Sequence, residues 1–367
     1  MGPSVGNDRT GALAVPGLDL ARLRGHLDKA LPGGVAGPIS GELIAGGRSN
    51  LTYVITDGVS RWVLRRPPLG HVQATAHDMA REFRVMSALH DTDVPVPGSL
   101  LLCLDPEILG APFYVMEKVE GVVLRTREDT AALGPRASEH VAHELIDVLA
   151  NLHLVDPASV GLGDFGRPEG YLTRQVHRWA TQLAGSRSRE LPGADELVVR
   201  LAASVPSSQR AAILHGDYRL DNVVIALDPQ TGQPHAAQPV AAVLDWEMAT
   251  VGDPLADLGL FTVYYDGLGG ADNPVADGVA GRPGFPSTTE LCRRYADRAG
   301  LAVDALDWYV VFGYFKIAVI LEGIHFRYRK GQTVGSGFEG IGAMVPPLID
   351  RALAMAADSA NPALARP

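Results

Sequence analysis

The stretch HGDYRLDN, residues 215–222, followed by AVLDWE, residues 242–247, decides the reading of this chain. Asp217 carries an acid, Asn222 an amide five residues later, and Asp245 a second acid at the end of an apolar strand-like run. Phosphoryl transfer from a nucleoside triphosphate needs little covalent chemistry from a protein, but it needs groups placed with care. An acid must orient the attacking hydroxyl and take its proton, and oxygen ligands must hold a hard cation on the phosphates. The spacing supplies both: Asp217 for the hydroxyl, Asn222 and Asp245 for Mg²⁺. Each has a plainer alternative, since Asn222 can close a turn and Asp245 can cap the segment after it.

Upstream of this run the pattern is β-rich. GELIA, GGRSN and LTYVITDG (41–58) read as strand, turn and strand, and SRWVLRR (60–66) as a third strand stopped by Pro67 and Pro68. HDMAREFRVMSALHD (77–91) spaces Met79, Phe83, Met86 and Leu89 as a helix does, and LLLCLD and FYVMEKVEG add two strands. LDLARLRGHLDKAL (18–31) predicts a leading helix. Gly46 and Gly47 would let backbone approach phosphates closely, with Ser49 adding a hydroxyl, although GGRSN is not a full GxGxxG and is also a plain hairpin turn. From Pro135 onward helices dominate: 137–156, then roughly 287–299, 304–330 and 339–357. Gly121 is positioned to let the chain pivot. The segments divide into a mobile start (1–17), a nucleotide-binding N-lobe (18–119), a helical C-lobe with the catalytic loop and acceptor pocket (120–357) and a mobile end (358–367). The fold class is therefore α+β.

Composition bounds the partners. The chain has 367 residues, 46% apolar and 20% charged, with a formal net charge of −10. That charge argues against a nucleic-acid partner, which selects a basic face. Cys103 and Cys292 cannot make a disulfide framework, and a reduced cytoplasmic setting is expected. No uninterrupted apolar run reaches the length of a membrane span, and the first residues match neither a secretory signal nor a myristoylation site.

With VLRRPP (63–68), HDMAREFRVMSAL (77–89), LDWEMATVGDPLADLG (244–259) and FKIAVILEGIHFRYRKG (315–331) in view, the chain resembles the aminoglycoside phosphotransferase and choline kinase group. The likeness runs from about Gly41 to Leu353. It is similar above all to a subfamily that includes kinase-like domains fused to some animal acyl-CoA dehydrogenases, which are associated with phosphorylating hydroxy fatty acyl groups. The resemblance implies a bilobal protein-kinase-like fold, with ATP and Mg²⁺ as cofactors. It sets Arg65 where kinases keep a phosphate-holding strand lysine, with Glu82 as its helix partner; Arg66 is the alternative register. It makes Met116, Glu117 and Val119 an adenine-binding hinge, and gives His215 and Asp257 the bracing of the catalytic loop. Arg219 falls where many protein kinases touch the transferred phosphate, or else pairs with Asp221. Glu247, Lys316, Glu322 and Arg327 are the candidates for an acceptor pocket: cations there favour an anionic acceptor, acids an amino sugar or amino alcohol. The expected activity is transfer from MgATP to a small-molecule hydroxyl. The alternative is a catalytically weak nucleotide-binding pseudokinase that binds partners, motivated by Arg65 and the incomplete glycine loop.

Overall fold

The computed structural model describes residues 15–31, 33–44, 50–69, 78–268, 278–333 and 337–366. Contacts group the chain into two compact units, residues 1–87 with 97–118, and residues 88–96 with 119–367.

In the first unit, helix α1 (Leu20–Ala30) starts at Asp19, whose carboxylate caps the Arg22 amide at 3.0 Å. Strands β1 (Ser40–Leu43), β2 (Leu51–Thr56) and β3 (Arg61–Arg66) follow, then α2 (Met79–Leu89), β4 (Ser99–Cys103), the single turn α3 (Pro106–Leu109) and β5 (Phe113–Glu117). The sheet is antiparallel, ordered β1-β2-β3-β5-β4. Alternation along the strands sends Tyr53, Ile55, Leu64, Phe113 and Val115 to one face, where they pack with Leu23 and Leu27 of α1. Arg65 stands on the opposite face, opposite Thr52 on one side and Tyr114 on the other.

The second unit holds α4 (Arg127–Ala131), α5 (Pro135–Leu154), α6 (Tyr171–Ser186) and α7 (Ala194–Ala203), and then the short strands β6 (Ala212–Leu214), β7 (Val223–Ile225), β8 (Val240–Val243) and β9 (Thr250–Gly252). These pair as two small antiparallel ribbons, β6 with β9 and β7 with β8. Helices α8 (Leu255–Asp266), α9 (Thr288–Ala299), α10 (Leu306–Arg329), α11 (Ile341–Ala357) and α12 (Pro362–Ala365) complete it. Helix α10 is long and apolar enough to cross a bilayer, contrary to the expectation from uninterrupted runs. However, 72% of its apolar window is buried among the other helices, as in a core helix. Trp308, Tyr309, Phe312 and Phe315 are part of that core.

The contacts bear on four expectations about boundaries, ends and the pivot. Residues 88–96, placed in the first lobe by sequence, group with the second unit, where the Val243 amide donates to Pro95 O at 2.8 Å. The tail 358–367 was expected to be mobile. Instead, α12 is capped by Asn361, Leu364 is buried, and Arg200 Nη1 donates to Ala365 O at 2.7 Å. Gly121 is no free pivot: a Cβ there would lie 2.4 Å from Ile225 O, and its φ of +148° disfavours any other residue. At the amino terminus, the described part of the segment expected to be mobile is anchored, as Tyr53 and Arg66 donate to Pro16 O and Gly17 O at 2.6 Å. The rest of that segment lies outside the described residues.

Candidate active site

The first unit contributes a buried ion pair. Arg65 Nε lies 3.1 Å from Glu82 Oε2, and both side chains are buried. The same carboxylate accepts from Tyr114 Oη at 2.9 Å and Asn50 Nδ2 at 3.1 Å. Arg66 points to the other face, where it donates to Gly17 O and, at 2.8 Å, to Leu109 O. Strand alternation thus sends one guanidinium to Glu82 and uses the other as an anchor for the chain start. Met116 and Glu117 end β5, and the Glu117 amide donates to Gly98 O at 2.8 Å. Val119 groups with the second unit. Gly46, Gly47 and Ser49 lie outside the described residues.

In the second unit the catalytic-loop candidates are joined by a bond from Asn222 to Asp217 and by the ribbon that sets Asn222 beside Leu244. The turn after β6 carries Asp217. Asn222 Nδ2 donates to Asp217 O at 2.9 Å and to Asp217 Oδ2 at 3.1 Å. With both amide hydrogens so directed, Oδ1 is the atom that Asn222 can offer a cation. The register of the β7–β8 ribbon matches Val223 with Val243, and the Leu244 amide donates to Asn222 O at 2.8 Å. Asp245 follows directly. It has φ 65° and ψ 61°, the one non-glycine residue with positive φ among those described. Such a conformation costs about 1–3 kcal/mol and persists only where the surroundings enforce it. Among the described residues no three His, Cys, Asp or Glu side chains form a ready metal cage. An amide oxygen such as that of Asn222 and a carboxylate such as that of Asp245 are of the hard donor type that suits Mg²⁺, which characteristically takes one or two protein oxygens beside phosphates and water.

The loop is braced from beneath. Asp257 on α8 is buried and accepts from the His215 amide at 2.6 Å and the Gly216 amide at 2.9 Å. Burial would raise its proton affinity, but the bond and charge of His153, with His215 beyond, hold it below the usual carboxylate value. His153 Nε2 lies 3.5 Å from Asp257, and its Nδ1 meets Tyr295 Oη at 2.6 Å. His215 Nε2 lies 2.8 Å from the Leu244 carbonyl, so the proton belongs on Nε2, and Nδ1 then accepts from the Asp217 amide at 3.2 Å. Gly216 has φ +83°, and a Cβ there would come within 2.6 Å of Met248 O, so glycine is required. Helix α8 is locally capped by Asp253, which takes the Leu255 amide at 2.9 Å, leaving Asp257 to the loop.

The acceptor candidates separate. Arg219 adopts the paired alternative: its guanidinium meets Asp221 and lies 4.6 Å over the Tyr264 ring. Burial, and after it the Asp217 charge, raises the proton affinity of the Tyr264 hydroxyl, and Arg219 opposes this. A cavity beside this cluster is lined by Arg125, Arg219 and Arg282 with Leu124, Phe261 and Val279 among its apolar walls. Glu322, expected in an acceptor pocket, is instead a buried internal acid held by Arg189 at 2.9 Å. Arg327 is exposed on α10, and Lys316 is buried against the loop, its Nζ donating to Gly216 O at 2.6 Å. Glu247 is half-buried in the 3-10 turn after Asp245. Sequence reasoning missed His153 and Tyr295. A histidine four residues beyond Leu149, on the buried face of α5, was the available signal, because a buried imidazole calls for a partner.

Comparison with known proteins agrees with this fold. The chain is 34% identical over 344 residues to acyl-CoA dehydrogenase family member 11 of Gallus gallus, a match covering 91% of this chain and 43% of that protein. It spans less than half the length of the curated relatives it matches. A crystal structure provisionally called an aminoglycoside phosphotransferase, from Ralstonia eutropha JMP134, superposes with a TM-score of 0.77 at 31% identity, covering 92% of this chain and 98% of that one. A ternary complex of a thermostable mutant of aminoglycoside phosphotransferase APH(4)-Ia with AMP-PNP and hygromycin B shares the fold at a TM-score of 0.56 and 15% identity, over 91% and 98% of the two chains. The sequence profile of the phosphotransferase enzyme family matches residues 40–291, and the chain belongs to that family.

Proposed function

We propose that this protein transfers the γ-phosphoryl group of MgATP to a hydroxyl of a small molecule. The observation that carries the reading is the joint placement of Asp217, Asn222 and Asp245 around one loop, with Asn222 bonded to Asp217 and Asp245 held in a left-handed backbone. Asp217 takes the proton of the acceptor hydroxyl while that oxygen bonds to the γ-phosphorus. The bond from phosphorus to the bridging oxygen breaks, and ADP leaves with the electron pair. Asn222 and Asp245 would hold Mg²⁺, which when bound offsets phosphate charge. Arg65, fixed by Glu82, is the cation offered to the α/β-phosphates in place of the commoner lysine. The AMP-PNP bound by APH(4)-Ia supports an adenine nucleotide as donor.

The cavity favours an acceptor with an anionic group and an apolar body, such as a hydroxy acid or acyl derivative. Arg125, Arg219 and Arg282 line it, and its acid, Asp221, is neutralised by Arg219. A polycationic amino sugar would face the guanidinium groups of Arg125 and Arg282 there, with no unpaired acid in the lining to offset them. ADP release from MgATP across a library of hydroxy acids, amino alcohols and aminoglycosides tests both points. Release should rise with anionic acceptors and vanish in Asp217→Asn. Release confined to aminoglycosides would overturn the acceptor, and tight MgATP binding with no transfer to any acceptor, water included, would overturn the enzyme.

A further inference from the structure

Lys316 lies on the apolar helix α10, where nothing in the folding of a core helix calls for an ammonium. It is buried, and its neighbours come from three elements: Asp217 in the loop, Asp257 on α8 and Arg178 on α6. The Trp179 ring lies 5.6 Å from Nζ. Its bond is to a carbonyl, that of Gly216, at 2.6 Å. That carbonyl belongs to the peptide unit whose N–H is the Asp217 amide, and that amide donates to His215 Nδ1 at 3.2 Å. The preceding peptide unit is held by Asp257 through the Gly216 amide at 2.9 Å. The left-handed Gly216 between them would otherwise be free to rotate both planes.

We propose that Lys316 is a positioning residue for phosphoryl transfer, whose buried ammonium fixes the peptide plane entering Asp217 and so aims that carboxylate at the acceptor hydroxyl. The inference rests on the reading of Asp217 as the acceptor's base. A packing role explains the site poorly, because burying an ammonium against a single carbonyl is costly where an apolar side chain of equal length would fill the space. Burial, the largest influence, lowers the proton affinity of Lys316; Asp217 and Asp257 oppose this, and Arg178 adds to it. Proton loss therefore comes at a lower pH than for an exposed lysine, and the clamp weakens on the alkaline side.

The test compares wild type, Lys316→Met and Lys316→Arg, each first shown to unfold cooperatively. Amide exchange at Gly216 and Asp217 is followed in the apoprotein, and ADP release from MgATP, with water as acceptor, across the neutral and alkaline range. Exchange at the two amides should accelerate in Lys316→Met. Its kcat should fall about 10²-fold, the cost of a misplacement on the order of 1 Å, with KM for ATP unchanged. Lys316→Arg should recover much of kcat and carry the alkaline limb to higher pH. Unchanged loop exchange in a folded Lys316→Met overturns the proposal, as does unchanged kcat with an active wild type. A wild type that releases no ADP with water or with any acceptor of the library overturns the phosphotransfer reading instead, and the exchange arm then decides the clamp alone.

Discussion

Replacing Asp257 tests how much of the second unit's stability is invested in its loop. The carboxylate is buried and takes the His215 and Gly216 amides at 2.6 and 2.9 Å, with His153 Nε2 at 3.5 Å. Hydrogen bonds to a charged group contribute about 1.5–3 kcal/mol each, and a buried donor left without a partner costs about 1–3 kcal/mol. Asp257→Ala removes both bonds and strands both amides, so a loss of about 3–5 kcal/mol is expected. Asp257→Asn keeps one acceptor oxygen but turns an NH₂ toward the second amide, and a loss of about 2 kcal/mol follows. Against a total of about 5–15 kcal/mol for a domain, the alanine change is severe. Urea unfolding read through Trp246 fluorescence reports it directly, since that indole lies 4.7 Å from the His215 ring. The pH dependence has a fixed sign. The folded-state proton affinity of Asp257 is depressed, so its stabilisation is present above the unfolded carboxylate value near 4 and is lost as pH falls through the lower folded value. Asp257→Asn should flatten that part of the acid-unfolding curve. A loss below about 1 kcal/mol for Asp257→Ala, or an Asp257→Asn protein that keeps the wild-type acid slope, would refute the reasoning.

Asp217→Asn should lower acceptor-dependent kcat by about 10²–10⁴-fold with ATP affinity retained, as measured by ADP release and nucleotide titration. Glu82→Ala removes the carboxylate that Arg65, Tyr114 and Asn50 share; a loss of about 3–5 kcal/mol in urea unfolding is expected, with Glu82→Gln intermediate. Asp245→Gly should hold or raise stability by about 1 kcal/mol, since glycine accepts the left-handed backbone, while MgATP turnover disappears. Arg282→Ala should raise KM for an anionic acceptor about tenfold and leave KM for ATP unchanged; equal KM values for all acceptors would dismiss the cavity as their site.

What the sequence displayed was what is local. Strand patterning showed β2 and β3, and helical spacing showed α1, α2, α9, α10 and α11, each within two residues of the observed ends, while β5 stops four residues short of the FYVMEKVEG run. The acid–amide–acid spacing was legible because a tight loop and a two-stranded ribbon join its members, so sequence distance constrains spatial distance. The acceptor residues were not legible, because orientation on a helix buried on all sides leaves no amphipathic trace. Glu322 and Lys316 lie six residues apart on α10, yet one meets Arg189 and the other the catalytic loop. The guanidinium-lined cavity draws Arg125, Arg219 and Arg282 from three separated segments, and no motif links them. The single turns α3 and α12 owe their form to Asp105 and Asn361 caps, signals too short to stand out from ordinary turns.

The distribution of unfavourable features argues for a working site over a retired one. A left-handed aspartate and a buried ammonium on a carbonyl are each expensive, and both meet the segment from His215 to Asp245, which the buried Asp257 carboxylate holds by two backbone amides. A pseudokinase that only displays a nucleotide has no use for a fixed peptide plane at Asp217. Lys316→Met would relax such a protein without penalty to its binding. If the loop instead aims a base at a hydroxyl, Lys316→Met and Asp245→Gly separate stability from turnover, each keeping the first and losing the second. That divergence belongs to a loop whose strain serves its chemistry.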